Sequence, residues 1–158
     1  MQIVYYSLSG VTEKIARKLS TQLGLPVYRI EDVRSRKGAF HFIRSGFEAK
    51  FKRTPRIKDI PNLKIKQDHV VLLAPIWAGS LCSPLRTFCK QNAGTFQTFS
   101  LVLTHMDPQK KFEEVAAEIE TITGATCKIF DSFCSKNVAA ADVQSLANRL
   151  KQAKHAVR

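Results

Sequence analysis

The chain has 158 residues, enough for one domain whose core needs neither metal nor disulfide to hold it. A hydrophobic content of 44% excludes a disordered chain, and no apolar run approaches the ~18 residues of a membrane-spanning helix. Twenty-five Lys and Arg against thirteen Asp and Glu give a net charge of +12, and eleven of those bases with only three acids fall between residues 32 and 66. Such a segment attracts acidic proteins, nucleic acid or an anionic membrane surface, or it is a solvated face with no dedicated partner.

The start, MQIVYYSLSG, lacks a basic lead, a long apolar stretch and a cleavage site, so a cytoplasmic location is expected. Residues 2–6 form a short continuous strand candidate. Over 11–23, Val11, Ile15, Leu19 and Leu23 recur every four residues, which predicts a helix with one buried face. A second strand is expected over 26–31. In the basic segment, Phe40, Ile43, Phe47 and Phe51 recur three or four apart, which predicts one or two helices packed by an aromatic face with basic residues opposite. The apolar run over 69–77 suits a strand covered on both sides.

Ser83 and Pro84 are expected to cap and open a helix that turns Leu85, Phe88 and Cys89 inward. A strand over 99–104 follows. Asp107 and Pro108 are expected to start another helix by the same device, with Phe112, Val115, Ile119 and Ile122 on one side and Gly124 ending it. A fifth strand over 127–133 precedes a last helix carrying Val143, Leu146 and Leu150, with Asp142 as its cap. The four cysteines, Cys82, Cys89, Cys127 and Cys134, form two C-x6-C pairs that match neither a zinc site nor a redox pair. They are expected to be reduced thiols, and no metal site is expected.

Strands alternating with helices imply a mainly parallel, doubly wound sheet in three layers, in one domain over 1–158. Ligands of such sheets sit at the carboxyl ends of the strands, which singles out the loops 7–12, 75–82 and 104–108. In the first, Ser7, Leu8, Ser9, Gly10, Val11 and Thr12 join a strand to a helix with three hydroxyls and a glycine. Backbone amides and the helix dipole favour an anion there, and the absence of a lysine argues against a Walker-type nucleotide loop. An N-capping turn built on Ser9 or Thr12 is the alternative. The second loop holds the only tryptophan, Trp77, a stacking platform between Pro75 and Gly79. In the third, His105 is either a donor toward a ligand or a solvent-facing loop histidine.

The stretches YYSLSGVTEKIARKL, DHVVLLAPIWAGSLCSPLRTF and KGAFHFIRSGFEAKFKRTPRI resemble, in order and spacing, the phosphate loop, third strand and early insert of the flavodoxin-like family. That resemblance implies five parallel strands in the order 2-1-3-4-5 and FMN as cofactor. Residues 7–12 would hold its phosphate. Pro75, Ile76, Trp77, Ala78 and Gly79 would flank its ring, with Thr104, His105 and Met106 along the other side. It also implies electron transfer or an NAD(P)H-dependent reductase activity, with an acidic redox protein as a possible docking partner of the basic segment. The sequence departs from the family pattern in its third loop, which lacks glycines and an aromatic ring, so stacking on one ring face only, by Trp77, is expected. It also departs in its basic charge, which should ease flavin reduction, and in Cys82, read as a buried inert thiol. A second reading is a non-catalytic binding module whose basic segment meets an acidic protein, nucleic acid or a membrane surface. No nucleic-acid-binding motif accompanies the charge, so nucleic acid is not favoured.

Overall fold

The computed structural model describes residues 1–36, 40–63, 65 and 69–156, with side chains to residue 153. Lys37, Gly38, Ala39, Lys64 and Lys66 of the basic segment lie outside the described residues, as does the side chain of His155. Five strands run parallel: β1 (Gln2–Tyr5), β2 (Val27–Arg29), β3 (His69–Trp77), β5 (Thr98–His105) and β6 (Thr126–Cys134), ordered β2-β1-β3-β5-β6. This is the expected 2-1-3-4-5 order with one addition. A two-residue strand, β4 (Ser80–Leu81), folds back antiparallel on β3.

Side chains along a strand alternate between its two faces, and here they divide the core in two. Val4, Leu72, Ala74, Leu101 and Leu103 meet Leu85, Phe88 and Cys89 of α3 (Ser83–Gln91) and Val115 and Ile119 of α4 (Glu114–Thr123). Ile3, Tyr5, Val71, Leu73 and Val102 meet Ile15, Leu19 and Leu23 of α1 (Val11–Leu23) and Val143, Leu146 and Leu150 of α5 (Ala140–Ala156). The central strand β3 is apolar on both faces because both are covered, as its continuous run implies.

Four local expectations are corrected. The chain from Ile76 to Leu81 is a hairpin rather than an open loop: Trp77 pairs with Ser80, and Ala78 and Gly79 carry φ of 47° and 73° between them. Two successive positive φ values define a type I′ turn, whose twist matches the strands it joins. Helix α3 begins without a side-chain cap, because the Ser83 hydroxyl donates to Glu48 Oε2 at 2.9 Å instead. Helix α4 begins at Glu114 rather than after Asp107–Pro108; Asp107 Oδ1 accepts from the Gln109 N–H at 2.9 Å, and Phe112 has φ 63°, which breaks any continuous helix into α4.

The fourth correction concerns α2 (His41–Lys50), the single helix within the basic segment among the described residues. Its aromatic stripe does not face the core. Ser45 and Ala49 are buried, while Phe40, Ile43, Phe47 and Phe51 are 82%, 70%, 52% and 58% exposed. Two features turn it this way. Gly46 lets the helix approach the β3–β4 turn closely, since a Cβ added there would stand 3.6 Å from that of Ala78. Ser45 and Glu48 also supply hydrogen-bond acceptors to a buried arginine, Arg36, which has to be satisfied.

Candidate functional site

The carboxyl ends of β1, β3 and β5 enclose a cavity of about 410 Å³, within the range of small-molecule sites. Ten of the fourteen site residues singled out in the sequence line it: Leu8, Ser9, Val11, Pro75, Ile76, Trp77, Ala78, Thr104, His105 and Met106. Ser7, Gly10, Thr12 and Gly79 belong to the same loops but are not part of the lining.

The first loop leaves β1 through Ser7, which is buried and whose Oγ accepts the Gly10 N–H at 3.1 Å. Gly10 is the N-cap of α1 with φ 89°, a conformation only glycine adopts without strain. No side chain caps α1. The capping-turn alternative therefore does not hold: Ser9 lines the cavity, and Thr12 Oγ1 lies 2.7 Å from Thr104 Oγ1, tying the first loop to the third. An uncapped helix start leaves its first-turn amides and positive dipole end available to an anion.

Trp77 is held from two sides. Tyr6 meets it edge-on at 5.4 Å with planes 87° apart, and the Arg36 guanidinium stands 4.9 Å over its ring. The Arg36 side chain is only 2% exposed. It donates to Asp32 Oδ2 at 2.8 Å, Glu48 Oε2 at 2.7 Å, Ser45 Oγ at 3.2 Å and Ser83 Oγ at 3.3 Å. Burial pushes the Glu48 carboxyl up, but hydrogen bonds from Arg36, Arg44 and Ser83 outweigh it and hold the group below its ordinary range. Tyr6 donates to Asp32 at 2.7 Å; burial first, and then that hydrogen bond, raise its phenol well above the ordinary value.

At the third loop His105 is 5% exposed, so it is not the solvent-facing histidine of the alternative reading. Neither ring nitrogen has a partner among the described residues, and its ring lies 5.2 Å from that of Phe112. A buried imidazole whose two nitrogens are both buried and unpartnered is a hydrogen-bonding group that the described residues leave unsatisfied. Met106, by contrast, is 63% exposed at the rim.

Sequence reasoning missed the contribution of the basic segment. Phe42, Ser45 and Gly46 of α2 line the cavity, together with Ser135 beyond β6. Phe42 was detectable as the one aromatic lying off the Phe40–Ile43–Phe47–Phe51 stripe. It brings a second ring to a site where only Trp77 was expected. Among the described residues the wall carries no acid, lysine or arginine, so the charge of those residues does not reach the cavity lining. Arg36, behind Trp77, is neutralised by its two carboxylates. Cys82 is fully buried outside the lining, and desolvation pushes its thiol up to about 12, which makes it an inert core group.

Solved structures share this architecture. A protein from Bacteroides uniformis assigned to the flavoproteins matches with a TM-score of 0.76 at 18% identity, over 93% of this chain and 96% of that one. A flavoprotein from Lactobacillus acidophilus, solved in complex with FMN, matches with 0.67 at 17% identity, over 83% and 90%. A flavodoxin from Streptococcus pneumoniae matches with 0.55 at 16% identity, over 93% and 92%. No family profile and no curated protein matches the sequence. The fold is flavodoxin-like, with its cavity where the strand order reverses.

Proposed function

We propose that this chain binds FMN in the cavity and works in the cytoplasm as a flavin-dependent electron-transfer protein or NAD(P)H-dependent oxidoreductase. The observation that carries the reading is the uncapped start of α1 beside an apolar cavity bearing two aromatic rings. A phosphate needs oriented donors, and a planar heteroaromatic ring needs flat apolar walls. The fold neighbour solved with FMN supports the same ligand.

In this reading Ser9 and the first-turn amides of α1 hold the phosphate, with Ser7 and Gly10 fixing the loop. Trp77 and Phe42 flank the ring, and His105 supplies a hydrogen bond at its edge. Bound FMN supplies one- or two-electron redox chemistry; the protein binds it, orients it and shields it from water. The uncharged wall leaves tuning to His105 and the hydroxyls rather than to a local cation.

Titration of the purified chain with FMN tests the proposal. Quenching of flavin fluorescence at a ratio of one FMN per chain is expected. An absence of quenching, with riboflavin and FMN equally ignored, refutes it. If FMN binds, oxidation of NADH or NADPH distinguishes a reductase from a carrier.

A further inference from the structure

We infer that the outer face of α2 is a docking surface for an anionic lipid bilayer. The helix meets the rest of the protein through Ser45, Gly46, Glu48 and Ala49, none of which carries a large apolar side chain. Apart from Phe42 at the cavity, its large apolar side chains point the other way. Phe40, Ile43, Phe47 and Phe51 are spaced three and four apart, which places them in one stripe, and each is more than half exposed. Phe47 and Phe51 touch ring to ring at 4.5 Å. A contiguous exposed stripe of this kind marks an interaction site.

Charge decides the occupant. Between residues 40 and 56 the sequence has five bases, Arg44, Lys50, Lys52, Arg53 and Arg56, and a single acid, Glu48. Glu48 is turned inward and consumed by Arg36 and Arg44. Lys50 follows Ile43 by two helical turns and so borders the stripe, as Arg44 does on the side of Phe47. Lys50, Arg53 and Arg56 form no ion pair among the described residues. A second copy docked face to face on this stripe would bring two positive faces together. Side chains that are 52% to 82% exposed suit a fluid medium that can envelop them. Apolar side chains entering the acyl boundary, with bases at lipid phosphates, is how an interfacial amphipathic helix binds. No helix among the described residues is long and apolar enough to cross a membrane, so the association is peripheral.

The test is flotation of the full chain with vesicles, read without FMN, so that its failure and failure of the cofactor proposal are separate results. Binding to vesicles of phosphatidylcholine mixed with phosphatidylglycerol is expected, with little on phosphatidylcholine alone, and added salt should weaken it. Phe47→Ser with Phe51→Ser should lower the bound fraction about tenfold at limiting lipid, with the thermal melt unchanged because both side chains are exposed. Should that variant unfold, Phe40→Ser with Ile43→Ser asks the same question, and Lys50→Glu with Arg53→Glu tests the charge. Three results overturn the proposal. They are no vesicle binding by the wild-type chain, undiminished binding by the folded Phe variants, and a wild-type dimer in sedimentation that the Phe variants dissolve while vesicles stay bare.

Discussion

Replacing Arg36 with Met removes the group that joins α2, α3 and Trp77. The side chain it replaces is 2% exposed and donates to four acceptors, two of them carboxylates whose own side chains are 8% and 13% exposed. Breaking a buried ion pair by removing one partner costs about 3–5 kcal/mol, because the remaining charge is stranded. Asp32 keeps the Tyr6 hydroxyl, and Glu48 keeps Arg44 and Ser83, so the lower end applies. Loss of the contact over Trp77 adds about 0.5–1 kcal/mol. The expected loss is about 3–4 kcal/mol, a large part of a stability that is about 5–15 kcal/mol in ordinary domains. Urea unfolding at pH 7, followed by circular dichroism with an unchanged m-value, measures it.

Stability should recover once the stranded charges are removed as well. Adding Asp32→Asn and Glu48→Gln to Arg36→Met should restore more than half of the loss, since stranded charge and not lost contact is its main source. The acid limb should move as well. Glu48 sits below its ordinary range in the folded protein, so its contribution is present above the unfolded value of about 4.3 and is lost as pH falls through the folded value. Without Arg36 that limb should begin at higher pH. A single variant losing under ~1 kcal/mol, or a triple variant no more stable than the single one, would refute the reasoning.

Trp77→Ala should weaken FMN binding by about 1–3 kcal/mol, and Phe42→Ala by about 0.5–1.5 kcal/mol, read as dissociation constants from flavin fluorescence. An unchanged affinity in both removes the ring-stacking site. His69 is buried at the start of β3, with its two ring nitrogens 2.8 Å from Thr98 Oγ1 and 2.9 Å from Ser100 Oγ. Burial, with lesser repulsion from the chain amino group and Lys128, lowers its pKa from 6.5 to about 4. The unfolded chain therefore takes up a proton that the folded protein refuses. Stability should fall as pH drops from 6.5 toward 4, by about 3 kcal/mol in all from this group. His69→Gln should flatten that window when urea midpoints at pH 7 and pH 5 are compared, and an unchanged slope would assign the acid loss to other groups.

The alternation of apolar runs and four-residue helical spacings was enough to place all five parallel strands and to identify the buried faces of α1, α3 and α5. The loops that line the cavity were also legible, because ligands of doubly wound sheets sit at the carboxyl ends of the strands. Local pattern could not supply what depends on distant partners. Ser83 looks like a cap, but a buried carboxylate from α2 claims its hydroxyl. Asp107 looks like a helix start, yet it closes a turn on Gln109.

The same limit explains α2. Periodicity shows that an aromatic stripe exists, but it cannot say which side of the helix meets the core when the opposite side is small enough to fit closely. Arg36, unremarkable in a basic sequence, decided that orientation by requiring Ser45 and Glu48 inside. In turning the helix it placed Phe42, itself 71% exposed, at the cavity and left Phe40, Ile43, Phe47 and Phe51 in solvent. The sequence by itself determined the fold and the site's loops, because those rest on local periodicity and turn chemistry. Only the tertiary structure decided the second ring of the cavity and the exposed apolar face, because both follow from satisfying one buried charge.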